Sequence, residues 1–223
     1  MSDVTGFEET LMFLGSSICH QLAERSYFYE GTQMPLCARC IGIHVGFAIS
    51  ALFLATVARR FASGLPSLRQ MVAMGAIMSV FVIDALLSYS GLSESTNLRR
   101  TLTGLCLGVV VPFVLFPMLN MFLHPGKKAV GMLDKWTGWL WIGFLYMLAA
   151  GLILLSEENV LLFYAASVIG VVGVFMFMST LASVEVALLI DKSQLPDSRK
   201  LAIGVSIAVA ALIVSAAIRK LVS

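Results

Sequence analysis

Six runs of about 20 predominantly apolar residues dominate this chain, and each approaches or exceeds the length a helix needs to cross a bilayer. They lie at Leu36–Ala58, Met71–Ser90, Leu102–Leu123, Trp136–Leu155, Val160–Leu181 and Leu201–Ile218. Inside hydrocarbon the backbone has no water to bind, so such runs fold as helices that satisfy their own hydrogen bonds. Composition agrees: 59% of the 223 residues are hydrophobic, 13% are charged, and mean hydropathy is +0.92. A water-soluble chain of this size must present a polar exterior, which this one lacks. The expectation is an all-α polytopic integral membrane bundle of about six transmembrane helices, forming one membrane domain over 1–223. Four cysteines are too few for a secreted disulfide scaffold. A net charge of +2 without a basic stripe speaks against nucleic-acid binding.

The opening MSDVTGFEET carries three acids and no base, unlike the positive start of a signal peptide. Insertion is therefore expected to rely on the spans. Phe7–Ala23 is partly apolar but short, which suggests a short interfacial or re-entrant helix, with a seventh span as the alternative. Residues 1–35 are read as an interfacial segment with a Cys-His motif. Residues 36–123 are read as three spans with the candidate site, and 124–223 as three more. Apolar character runs on from Val160 to Ile190 with Glu185 the lone interruption, so one long helix is expected there. Pro112 and Pro117 are expected to bend the third span. Gly42/Gly46 and Gly104/Gly108 have the small-xxx-small spacing that lets helices approach closely. The twelve Met are read as packing filler.

Basic residues orient the bundle. Arg59, Arg60, Arg69, Lys127, Lys128, Lys135, Lys192, Arg199 and Lys200 fall on one side, against Arg25, Arg99, Arg100, Arg219 and Lys220 on the other. This predicts a multi-pass protein of the cell (inner) membrane with both termini outside.

Three of the four cysteines crowd one stretch: Cys19, beside His20, then Cys37 and Cys40 in a CxxC, with His44 after it. On a helix Cys37, Cys40 and His44 fall within about 60° of one another, while Arg39 points nearly opposite. Zinc takes four N/S ligands, and a CxxC supplies two from one short segment. Cys19, His20 and His44 are candidates for the rest. The same pattern suits a thiol–disulfide couple in which Cys19 attacks or resolves, or thiols that merely fill space. Cys106, four residues into the third span, is read as packing.

Asp84 lies six residues, or roughly 9 Å, below the end of the second span. An ionisable group inside a span normally has a partner or a task, and Arg39, Arg99 and Arg100 are the candidate partners. Asn97, Arg100 and Thr103 are spaced i, i+3, i+6 at the start of the third span, which Ser95 or Thr96 can cap. Asn97 and Arg100, joined by Arg25, could hold an anionic head group. A six-span topology gathers Cys19, His20, Arg25, Cys37, Cys40, Asp84, Asn97 and Arg100 at one membrane face.

CHQLAERS followed by PLCARCIGIHVGF resembles the small prokaryotic membrane proteins known as domain of unknown function 2085. The resemblance rests on Cys19, His20, Gln21, Arg25, Ser26, Cys37, Arg39, Cys40, Gly42 and Gly46, then on Asp84, Asn97, Arg100, Thr103 and Gly104. It covers roughly residues 15–110. Where the family pattern has an aromatic residue this chain has His44, which favours His20 in a Cys19, His20, Cys37, Cys40 metal set. The family brings no activity with it.

The expected function is a zinc site at one membrane interface, with Asp84, Arg25 and Arg100 as candidate catalytic residues and Asn97 and Arg39 as candidate substrate-binding residues. The substrate class is a lipid-borne or anionic membrane substrate. One alternative is a membrane thiol–disulfide oxidoreductase passing electrons to quinone. Another is a binding or transport protein with a structural metal site. No inverted repeat is evident, and the last three spans hold few polar residues, which disfavours a solute path through them.

Overall fold

The computed structural model describes residues 2–56, 64–123, 136–190 and 196–222. A helix α1 (Ser2–Gly15) precedes a segment with a 3-10 turn (Ala23–Arg25) and a two-stranded hairpin, β1 (Phe28–Tyr29) and β2 (Thr32–Gln33). The spans follow as α2 (Ala38–Thr56), α3 (Leu68–Tyr89), α4 (Asn97–Val110) with α5 (Pro112–Leu123), α6 (Thr137–Leu154), α7 (Val160–Leu189) and α8 (Asp197–Val222). Among the described residues, six helices are long and apolar enough to cross a membrane, with α4 and α5 counted as one. Arg59, Arg60, Lys127, Lys128, Lys135 and Lys192, used above for orientation, lie outside the described residues.

The helix ends follow local chemistry. Ser67 and Gln70 cap α3 reciprocally, and the Thr96 hydroxyl accepts from the Arg99 amide to start α4. Asn159 Oδ1 accepts from the amides of Leu161 and Leu162 to start α7, which then runs unbroken for 30 residues. Pro112 has no N–H to donate, and the third span breaks there between α4 and α5. The first span starts slightly later than its hydropathy suggests. Cys37 sits just before α2, its carbonyl accepting from the Ile41 amide. The amino-terminal helix ends at Gly15, well before Ala23, where the chain turns under the Pro35 carbonyl.

Helix α2 is the central element, packed against α4, α5, α6 and α7. Its crossing with α4 depends on facing glycines. A Cβ on Gly42 would lie 2.5 Å from the Thr101 carbonyl oxygen, and one on Gly104 would lie 2.5 Å from that of Arg39. A Cβ on Gly108 would collide with the Ile43 carbonyl, and one on Gly173 of α7 with that of His44. Lipid offers no hydrophobic drive between helices, so close backbone approach supplies the association through van der Waals contact. The interior is filled by Leu36, Ile41, Phe47, Leu54, Leu105, Phe113 and Phe163. Helix α3 meets mainly α4 and turns Val72, Val82, Ile83 and Leu86 outward, a face suited to lipid.

Up-and-down connectivity puts the starts of α2 and α4 and the ends of α3, α6 and α8 at one end of the bundle. The Cys-His segment covers that end.

Candidate metal centre

The segment 16–37 is folded by its own polar groups. Gln21 adopts a left-handed backbone (φ 53°), and its amide donates to the carbonyls of Met12 (2.7 Å) and Pro35 (2.8 Å). Gln33 Nε2 donates to the Gln21 carbonyl at 2.8 Å and to Ser26 Oγ at 3.1 Å. Glu30 and Gly31, both at positive φ, turn the hairpin. Asn97 Nδ2 donates to the Ser26 carbonyl at 3.1 Å, tying this segment to α4. Tyr27 and Thr101 share a buried hydroxyl bond of 2.9 Å, and Thr101 donates onward to the Ala38 carbonyl. From α8, Arg219 Nη1 donates to the Cys19 carbonyl at 2.6 Å.

This frame brings the Sγ atoms of Cys19, Cys37 and Cys40 within 4.8 Å of one another. Cys19 is buried and the other two are half-buried. Cys19 Sγ accepts main-chain N–H groups from Gln21 at 3.4 Å and Cys37 at 3.2 Å. Bonds of this kind favour a thiolate. Thiol bonds from Cys19 and Cys40, helped by the amides of Cys40 and Arg39, hold the Cys37 thiol well below the ordinary range. Its place at the start of α2 works in the same direction. Cys19 is pushed up, chiefly because it donates to Cys37 and also because it is buried. Three sulfurs at this separation could hold one metal ion, with the fourth position of a tetrahedron left open.

The triad forms part of the wall of a cavity of about 400 Å³, along with Ile18, His20, Gln21, Leu22, Arg25, Arg39, Tyr89 and Arg100. His20 is exposed and stands on this wall, apart from the sulfur cluster. Being adjacent to Cys19 in sequence does not suffice, because Gln21 turns the chain immediately after. His44 is buried within the α2–α7 packing against Phe177, its Nδ1 without a hydrogen-bond partner among the described residues. Cys106 lies apart from the triad on α4.

Asp84 is 3% exposed and holds two arginines at once. Its Oδ2 meets Arg39 Nη2 at 2.6 Å and its Oδ1 meets Arg99 Nε at 2.6 Å. Ser95 Oγ and Thr103 Oγ1 donate to the same carboxylate at 3.2 and 3.1 Å. Arg39 also lies over the Tyr89 ring, 5.6 Å from its centre. Arg100, the third candidate partner, instead lines the cavity, where Asn97 Oδ1 accepts from it at 3.4 Å. Asn97 is not on the cavity wall. Gln33, Tyr27 and Thr101 had no place in the sequence reading of the site, and Arg219 entered it only as a charge for orientation. Only Gln21, inside the CHQ string, carried a visible signal.

Two archaeal proteins are similar to this chain. An uncharacterized protein of Methanocaldococcus jannaschii is 32% identical over 113 residues, which is 51% of this chain and 70% of that protein. An uncharacterized protein of Methanothermobacter thermautotrophicus is 27% identical over 107 residues, 48% of this chain and 92% of the relative. The family described as a predicted membrane protein, DUF2085, matches residues 19–114. The chain belongs to the DUF2085 family. The DUF2085 match begins at Cys19 itself and runs through α4 into α5, so it takes in the triad, Asp84 and all three cavity arginines. It ends before α6, α7 and α8, the spans without a recognisable motif. No solved structure matches the chain.

Proposed function

We propose that this protein carries a zinc centre at one face of the membrane, with Cys19, Cys37 and Cys40 as ligands. All three cysteines line the adjoining cavity, where zinc held by them would supply Lewis-acid chemistry to a group delivered by the membrane. The observation that carries this reading is the convergence of three sulfurs from two chain segments beside one cavity. Zinc is favoured because it is satisfied by tetrahedral thiolate donors, and three protein ligands with one open position is the arrangement of catalytic zinc. Asp84 is assigned a positioning role, since its carboxylate grips Arg39 and Arg99 and is shut away from the cavity. His20, exposed on the same cavity wall, is the candidate for moving a proton there. The basic residues counted on the opposite loops support an orientation with both termini outside, and six apolar helices suit a cell (inner) membrane.

The test is purification in mild detergent without reductant or chelator, followed by metal analysis and thiol titration of the same sample. About one zinc per chain, with three thiols reactive only after chelation, is the expected result. A second reading shares the same cluster: the three sulfurs lie within 4.8 Å of one another, and two of them would pair if their side chains closed to bonding distance. Two thiols would then close to a disulfide, releasing two protons and two electrons that reduce a quinone to the quinol. Absence of metal, with two thiols recovered only on reduction, selects that reading. Absence of metal with all thiols free refutes both.

A further inference from the structure

The cavity beside the triad has a charge that thiol chemistry alone does not require. Its wall is lined by three arginines, Arg25, Arg39 and Arg100, and by no acidic residue among the described residues. The acids nearest these arginines are already committed or remote from the cavity. Asp84 is not on the cavity wall, and its carboxylate is shared between Arg39 and Arg99. Glu24 meets Arg25 at 3.6 Å on the outside, with 67% of its side chain exposed. The Nε of Arg39 is buried with no hydrogen-bond partner among the described residues. Arg100 donates to the Asn97 side-chain oxygen at 3.4 Å and forms no ion pair among the described residues. Converging cations in a partly dry recess repel one another unless an anion joins them. Guanidinium forks match the oxygens of a tetrahedral phosphate, and offer more directed donors than such a group needs.

The cavity also has an apolar side. Ile18, Leu22 and Tyr89 lie on its wall, and Leu22 and Tyr89 are among the exposed large side chains. Arg39 is in the first turn of α2, Arg100 is in the first turn of α4, and Tyr89 ends α3. All three therefore stand where span meets head-group region. A volume of about 400 Å³ accepts a phosphate with a small polar attachment, but not acyl chains.

We propose that this cavity binds a terminal phosphate group, held by Arg25, Arg39 and Arg100 next to the sulfur triad. This deepens the zinc reading by naming the substrate class of that site, although the arginine cradle has its own chemistry. The chemistry is shared by a lipid phosphomonoester and by free inorganic phosphate, and the apolar wall favours the lipid.

The test uses the full chain in dodecyl maltoside, a phosphate-free detergent, in metal-free and Co2+-loaded forms. Each form is titrated calorimetrically with inorganic phosphate and with dihexanoyl phosphatidic acid. Thiolate-to-cobalt charge-transfer absorption reports the triad separately. Saturable binding is expected, weakened roughly tenfold or more by Arg100→Gln or Arg25→Gln, since each removes a charged hydrogen-bond donor. Thermal unfolding of each variant confirms that it folds. Tighter binding of phosphatidic acid assigns the lipid source, and equal binding assigns free phosphate. Failure of both ligands to bind wild-type protein overturns the inference even where the cobalt band is present. Undiminished binding in both folded variants also overturns it. Phosphate binding without a cobalt band removes the zinc reading and leaves the anion site standing.

Discussion

Asp84→Ala should be the most damaging single change in the ion network, and the geometry says why. Wild-type Asp84 neutralises two cations at 2.6 Å each. Removing it leaves Arg39, whose side chain is only 11% exposed, without a counter-charge, and turns it toward Arg99. Breaking a buried pair by deleting one partner costs about 3–5 kcal/mol. The Arg99 pair adds at most about 1 kcal/mol, because 39% of that side chain reaches solvent. For a chain of this length the sum lowers the melting temperature by on the order of 10 °C. Arg39→Ala should cost less, because Asp84 keeps Arg99, Ser95 and Thr103. Arg99→Ala should cost least. Adding Arg39→Met to Asp84→Ala should restore part of the loss, since no buried charge then stands alone and the methionine keeps the stem packing. Tryptophan fluorescence during thermal unfolding in detergent, with size exclusion of the heated samples, reads all four. If Asp84→Ala melts no lower than Arg39→Ala, or if the double variant is worse than Asp84→Ala, the reasoning from burial and pairing is wrong.

Cys19→Ser, Cys37→Ser and Cys40→Ser should each abolish stoichiometric zinc measured by mass spectrometry of the purified protein, whereas Cys106→Ser and His20→Ala should retain it. Chelation of wild-type protein should expose three thiols to Ellman's reagent and lower its melting temperature, because metal binding is coupled to the folded arrangement. Gly108→Leu places a side chain against the Ile43 carbonyl. It should cost about 1–3 kcal/mol or more, and it should weaken the cobalt charge-transfer band by moving α2 and its cysteines. Gln21→Ala loses two side-chain bonds but keeps the left-handed backbone. It should destabilise by about 1–3 kcal/mol and speed metal release to a competing chelator, while Gln21→Gly should unfold later than Gln21→Ala.

The membrane class and the six spans were legible in the chain itself, as was a disturbance of the third span at its prolines, which falls as a break at Pro112 while Pro117 stays inside α5. Span length, hydropathy and the missing N–H of proline act locally and need no tertiary partner. The CxxC was equally plain, and with up-and-down topology it was enough to expect Cys19, Asp84 and Arg100 at the same face. Which groups then touch depends on a few ångströms of helix offset, which no periodicity encodes. Asp84 had three arginines within reach in sequence terms. The α2–α4 crossing, set by backbones meeting at Gly42, Gly104 and Gly108, decided for Arg39 and Arg99 and left Arg100 to the cavity. His20 and Cys19 are neighbours in the chain. The left-handed turn at Gln21, held by Met12 and Pro35, buries the sulfur and leaves the imidazole on the cavity wall. Residue type determined what chemistry this protein carries, and close backbone packing decided which of those groups meet.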